Sequence, residues 1–172
     1  MIPQRNSNPS AIVSASRTFF VTSSTADKRS LFQTTRMAEL FLEVLFCYRD
    51  EGKFRLHEFG LMRDHFHLLL TIGPEMTIER AVQFIKGGFS FRAGRELDFH
   101  SAVWQRGFSE ARILDEASYC AHVEYIRNNP VRAHLADSPE HYPYCSACPG
   151  FILDPPPQGL KPLCKRGALR HG

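Results

Sequence analysis

The chain has 172 residues, 43% of them hydrophobic and 12% aromatic, enough for one packed domain with its own core. No apolar run approaches the ~20 residues that cross a bilayer, and the polar, proline-containing start is unlike a secretion signal, so the expected location is the cytoplasm. The formal net charge of +3 does not describe a basic body: residues 151–172 carry Lys161, Lys165, Arg166 and Arg170 against the single acid Asp154, and the remainder is formally neutral. This excludes a global electrostatic attraction for nucleic acid, so a DNA surface has to come from local clustering.

Residues 1–16 are rich in Ser, Asn and Pro without periodicity and read as a flexible leader. Residues 17–22 (RTFFVT) are aromatic and β-branched, which predicts a strand. From 31 to 49 apolar residues recur at helical spacing (Met37, Leu40, Phe41, Val44, Leu45, Tyr48) until Asp50, Glu51 and Gly52 end the pattern. Residues 54–62 and 65–72, joined by Arg63 and Asp64, predict a hairpin.

Thr77 is placed to cap a helix over 78–95, with a bend expected at Gly87 and Gly88, each costing about 1 kcal/mol there. Along that helix Arg80, Lys86, Arg92 and Arg95 occur with no acid between them, the one cluster expected to contact DNA phosphates. Residues 103–114 predict a strand broken near Gly107, and Asp115 caps a last helix expected to stop near Asn128, ahead of Pro130. The order β, α, β, β, α, β, α points to an α+β class, a ferredoxin-like antiparallel sheet with helices on one face. Residues 17–136 then form the domain, and the Pro-, Cys- and Gly-rich 137–172 an irregular C-terminal extension.

His65 and His67 are two apart on the predicted second hairpin strand, so both imidazoles leave the same face and can reach one ion. Two hydrogen-bonded histidines flanking a core Phe66 are an equally good reading of the pair alone. Position 69 is Leu, where a hydrolytic metal barrel would need Asp, and no second His-x-Ser/Thr motif is present for a phosphoesterase. Downstream, Tyr125 and Asn129 are four apart and share a face if helical, which sets a possible nucleophile beside an amide ligand. Pro130 biases Asn129 away from helical geometry, which leaves Asn128 as the alternative ligand. His122, three before Tyr125, reads as a proton acceptor or, more simply, as a structural residue; Tyr119, the rival nucleophile, has Val123 at its i+4 position.

Three pieces of the sequence, Asp64-His65-Phe66-His67-Leu68-Leu69, Trp104-Gln105-Arg106-Gly107-Phe108, and Tyr125-Ile126 followed by Asn129-Pro130-Val131, together resemble the single-tyrosine HUH transposases, most nearly the REP-associated tyrosine transposases. The resemblance spans roughly 17–136. It implies that His65, His67 and Asn129 bind a divalent metal, Mg or Mn, with Asn129 standing where other members carry Gln. It further implies that Tyr125 is the nucleophile of a strand transferase that cleaves and rejoins single-stranded or hairpin DNA through a 5′-phosphotyrosine, as a monomer or homodimer. The competing reading is a domesticated or decayed module that binds nucleic acid without chemistry. One departure is His134, where such sequences carry Gly after Asn-Pro-Val; a side chain there is costly if φ is positive.

Overall fold

Residues 65–72 read His-Phe-His-Leu-Leu-Leu-Thr-Ile, and from Leu68 the alternation of the hairpin strand gives way to a continuous apolar run. A strand of that kind needs cover on both faces. The computed structural model describes residues 16–160; the expected leader, apart from Ser16, and the end of the extension lie outside them. It places this strand, β3 (His65–Ile72), inside a four-stranded sheet with β1 (Arg17–Ser24), β2 (Arg55–Leu61) and β4 (Ser109–Ile113). The order is β2-β3-β1-β4 and every pair is antiparallel, which is the ferredoxin-like arrangement.

Two helices, α1 (Thr35–Asp50) and α2 (Ile78–Leu97), cover one face. Phe19 and Val21 of β1 and Phe66, Leu68 and Leu70 of β3 pack there with Phe41, Leu45, Ile85 and Phe89. Full burial of such a side chain contributes ~1.5–3 kcal/mol. Helix α2 runs unbroken through both glycines, and no bend is needed at Gly88: a Cβ there would lie 2.6 Å from the ring of Tyr48, so the missing side chain lets α1 approach. The expected break before the last strand is real, with a single bridge between Thr25 and Trp104, Gly107 at φ +80°, and β4 beginning at Ser109.

Helices on one face describes α1 and α2; α3 (Glu116–Arg132) departs from it and crosses the opposite face. There Leu69, Ile113, Tyr119, Ile126, Tyr142 and Cys145 form a second apolar cluster, joined by Phe20 and Val123. The physical reason is β3 itself, whose Leu69 and His67 would otherwise face water.

Pro130 does not end α3, which continues to Arg132. Proline lacks the N–H that would satisfy the carbonyl of Ile126. The Cys145 thiol takes its place, with Sγ 3.8 Å from that oxygen. Beyond the helix, residues 139–141 make a 3-10 turn, and the chain then follows the outer edge of β2. Leu61 N–H donates to the Tyr144 carbonyl at 2.8 Å, Ser146 N–H to Phe59 at 2.9 Å and Asp154 N–H to Leu56 at 2.8 Å. Residues 142–160 form no helix or extended strand, yet they shield a sheet edge that would otherwise be open. Among the described residues no helix is long and apolar enough to cross a membrane.

Candidate active site

The face of the sheet under α3 holds the two histidines. Period-two alternation puts Phe20 and Thr22 of β1 beside His67 of β3, and Thr22 is its direct cross-strand partner. The Thr22 hydroxyl lies 2.8 Å from His67 Nδ1. The His67 ring stacks on Phe20 at 5.4 Å between centroids and stands edge-on to His65 at 4.8 Å and to Tyr125 at 5.3 Å. His67 is only 5% exposed. Burial, and then the neighbouring His65, hold its pKa down to about 3, so the imidazole is neutral near pH 7. Thr22 engages Nδ1, which leaves Nε2 as the ring nitrogen free to meet a ligand.

His65, half-buried, has Nδ1 2.6 Å from the Asp64 carboxylate. A carboxylate behind one ring nitrogen is the arrangement that orients the other toward a ligand.

Several contacts fix α3 over this surface. Asp115 caps it by accepting from Ser118 N–H at 2.7 Å. Arg127 grips the buried Glu58 of β2 through both carboxylate oxygens, at 2.7 and 3.2 Å, while Ser146 also donates to Glu58. Gly60, the cross-strand partner of His67, lies directly beneath Ile126: a Cβ on it would be 3.4 Å from Ile126 Cγ2. Beside this close helix–sheet approach stand His67 on the sheet and Tyr125, next to Ile126, on the helix.

Tyr125 is 39% exposed. Phe20 meets its ring edge-on at 5.9 Å, and the Arg132 guanidinium lies 4.8 Å from its centroid. The phenol oxygen makes no hydrogen bond with any described residue. Asn129, one turn further along, is helical, contrary to the expectation from Pro130.

Two buried side-chain polar atoms among the described residues lack any hydrogen-bond partner, His67 Nε2 and Asn129 Nδ2. A buried polar group left unpaired costs about 1–3 kcal/mol. Both orphans belong to residues singled out as ligands from the sequence, and turning the Asn129 amide over presents Oδ1 instead. This fits a group that supplies the missing contact. No cluster of three or more His, Cys, Asp or Glu exists among the described residues, so the available donors are two imidazoles and an amide. That set suits a weakly held divalent cation completed by water and phosphate better than a closed zinc site.

Other residues considered from the sequence take structural places. Asn128 is exposed and donates to the Glu124 carbonyl at 3.0 Å. His122 bonds the Ser118 carbonyl at 2.7 Å and packs on Phe20 at 4.6 Å. Tyr119 is buried in the apolar cluster. Outside that group, His57 of β2 has both ring nitrogens engaged, by Thr71 at 2.7 Å and the Asp154 carbonyl at 3.3 Å.

The basic cluster of α2 is not brought to the histidines, because α2 covers the other face. Lys86 donates to the carbonyls of Gln105 at 3.1 Å and Gly107 at 2.7 Å. Arg92 is paired with Glu96 at 2.5 Å and Glu43 at 2.9 Å. Arg80 lies over the Phe84 ring at 5.8 Å, and Arg95 borders the groove between α1 and α2. Sequence reasoning missed Phe20, Thr22 and Arg132. Strand alternation opposite His67 was a signal for the first two once the pairing is known; for Arg132 the only signal is its spacing of two helical turns from Tyr125.

The family model described as "Transposase IS200 like" matches residues 17–129. A Haemophilus influenzae protein described, by inference, as a REP-associated tyrosine transposase is 30% identical over 97 residues, covering 50% of this chain and 54% of that protein. The matched part is thus about half the length of that relative. An uncharacterized protein of the same organism is 28% identical over 144 residues, covering 66% of this chain and 79% of the other. Among solved structures, a REP-associated tyrosine transposase bound to a REP hairpin superposes with a TM-score of 0.65 at 22% identity, over 75% of each chain. A transposase-like protein from Deinococcus radiodurans gives 0.50 at 17% identity, over 74% of this chain and 97% of the other. At these identities the structural likenesses speak for the fold.

Proposed function

Since the chain belongs to the IS200-like transposase family, we propose that it cleaves and rejoins single-stranded or hairpin DNA through a covalent bond to Tyr125. The observation that carries this reading is the pair of orphaned buried atoms, His67 Nε2 and Asn129 Nδ2, on the sheet and helix surfaces that flank a phenol held by three neighbours.

In this reading His65, His67 and Asn129 hold a magnesium or manganese ion, which when bound supplies positive charge to polarise the scissile phosphate. Thr22 holds the His67 ring through Nδ1 and Asp64 engages Nδ1 of His65, so the Nε2 atoms of both rings are left for the ion. Phe20, His67 and Arg132 restrict the Tyr125 ring so that its oxygen is the free end. Tyr125 Oη attacks phosphorus and the P–O3′ bond breaks. The phenolic proton passes to water, the 3′-oxygen takes up a proton, and the 5′-phosphate remains on tyrosine. A 3′-hydroxyl from another strand reverses the step, with no net change in the number of phosphoester bonds. Hairpin or unpaired DNA is the substrate because a side chain on a sheet-bound helix reaches a phosphodiester most easily outside a duplex, and the REP-associated relative was solved with a REP hairpin.

Incubating the protein with labelled hairpin DNA carrying a single-stranded tail, with and without manganese, and running a denaturing gel tests this. A slower, labelled protein band is expected, absent in Tyr125→Phe and strongly reduced in His67→Ala. A band of unchanged intensity in Tyr125→Phe rules out the nucleophile.

A further inference from the structure

Arg132 differs from the other arginines that the helices place near carboxylates. Arg49, Arg92 and Arg127 each make ion pairs, with Asp154, Glu43 and Glu96, and Glu58 respectively. Arg132 is exposed, pairs with no acid among the described residues, and rests its guanidinium on the Tyr125 ring at 4.8 Å. A cation in the last turn of a helix is favoured by the helix dipole, but the dipole does not require that it lie on the one tyrosine facing the histidines. Just after it, His134 adopts φ +58°, its N–H returning to the Val131 carbonyl at 3.1 Å and Leu135 N–H to Pro130 at 2.9 Å, and the Arg132 side chain stays exposed.

We propose that Arg132 is a phosphate-binding residue of the active site, which grips the DNA phosphate presented to Tyr125 with its guanidinium fork. This rests on the reading that DNA is brought to Tyr125. The guanidinium is planar, permanently charged and carries five N–H donors, so it stacks on an aromatic ring through its face while its edge donates in pairs to phosphate oxygens. Stacking on Tyr125 leaves that edge free, next to where the attacked phosphorus must stand.

The test is the salt dependence of binding, measured by fluorescence anisotropy with a labelled DNA hairpin carrying a single-stranded tail, in the Tyr125→Phe background and in EDTA. Each phosphate contact on a single strand contributes about 0.7 to the slope of log affinity against log salt. Arg132→Ala is expected to lower the slope by about that amount and to weaken binding roughly tenfold at low salt. Arg132→Lys is expected to restore the slope, because charge is kept. In the Tyr125 protein Arg132→Lys still forms the covalent band slowly, because the bidentate fork is lost. A slope unaltered in Arg132→Ala overturns the proposal, even if the ring contact proves important for stability. The two readings fail separately: an Arg132-dependent slope with no covalent band in the wild type removes the chemistry and keeps the phosphate site, while a normal band with an Arg132-independent slope does the reverse.

Discussion

Thr22 and His67 face each other across β1 and β3, and Thr22 Oγ1 lies 2.8 Å from His67 Nδ1. That one bond fixes which ring nitrogen is left for a ligand. Thr22→Val keeps the shape and removes the partner. Apparent manganese affinity, measured by titration calorimetry, is expected to fall 10–100-fold, the usual effect of removing a group that orients a ligating histidine. Unfolding free energy should drop by only about 1 kcal/mol. Unaltered manganese affinity counts against His67 as a ligand.

His67 is held neutral by burial, with a pKa of about 3 against 6.5 for the unfolded chain. The unfolded state therefore binds more protons between these values, so stability is fully present above about pH 6.5 and is lost as pH falls toward 3. His57, buried on β2 and also shifted down by burial, acts in the same direction. Urea midpoints measured in EDTA across this range should decline with falling pH, and His67→Gln should flatten the curve. A wild-type curve no steeper than that of His67→Gln would contradict the buried, neutral assignment.

Arg127 and Glu58 tie α3 to β2 through two hydrogen bonds, with Glu58 almost fully buried. Removing only the arginine strands a carboxylate, which costs on the order of 3 kcal/mol. Arg127→Met should lower the chemical-denaturation midpoint markedly, and adding Glu58→Leu should recover much of the loss. Failure of the double variant to recover would place the cost in packing rather than in the stranded charge.

Cys145 serves the carbonyl that Pro130 leaves open on Ile126. Cys145→Ala is expected to cost about 1 kcal/mol more than Cys145→Ser, which keeps a donor. Hydrogen exchange of the amides of residues 131–133 should rise in the alanine variant and not in the serine one. Equal exchange in both would show that the helix crosses Pro130 without this bond.

His134 sits at φ +58°, the left-handed region in which a side chain is unfavourable. His134→Gly should stabilise the chain by about 1 kcal/mol, seen as a higher melting temperature, with no change in covalent-band formation. A lower melting temperature would mean that the imidazole makes a compensating contact.

The sequence alone was enough for those features that repeat at a local period. Alternation along 65–72 put His65 and His67 on one side of a strand. The spacing of four placed Tyr125 and Asn129 on one helical face, and the order of elements led to the ferredoxin-like sheet. The missing glycine at 134 marked a strained turn before any angle was known. What period cannot encode is which surface meets which. Charge counted along one helix could not show that the sheet lies between the α2 cations and the histidines. Pro130 looked like a stop because the donor that replaces its N–H, Cys145, arrives from a later segment. The position of α3 opposite α1 and α2, and with it Tyr125 over His67 and Arg132 over Tyr125, was decided only in three dimensions, because the doubly apolar strand β3 has to be covered on both sides by parts of the chain far apart in sequence.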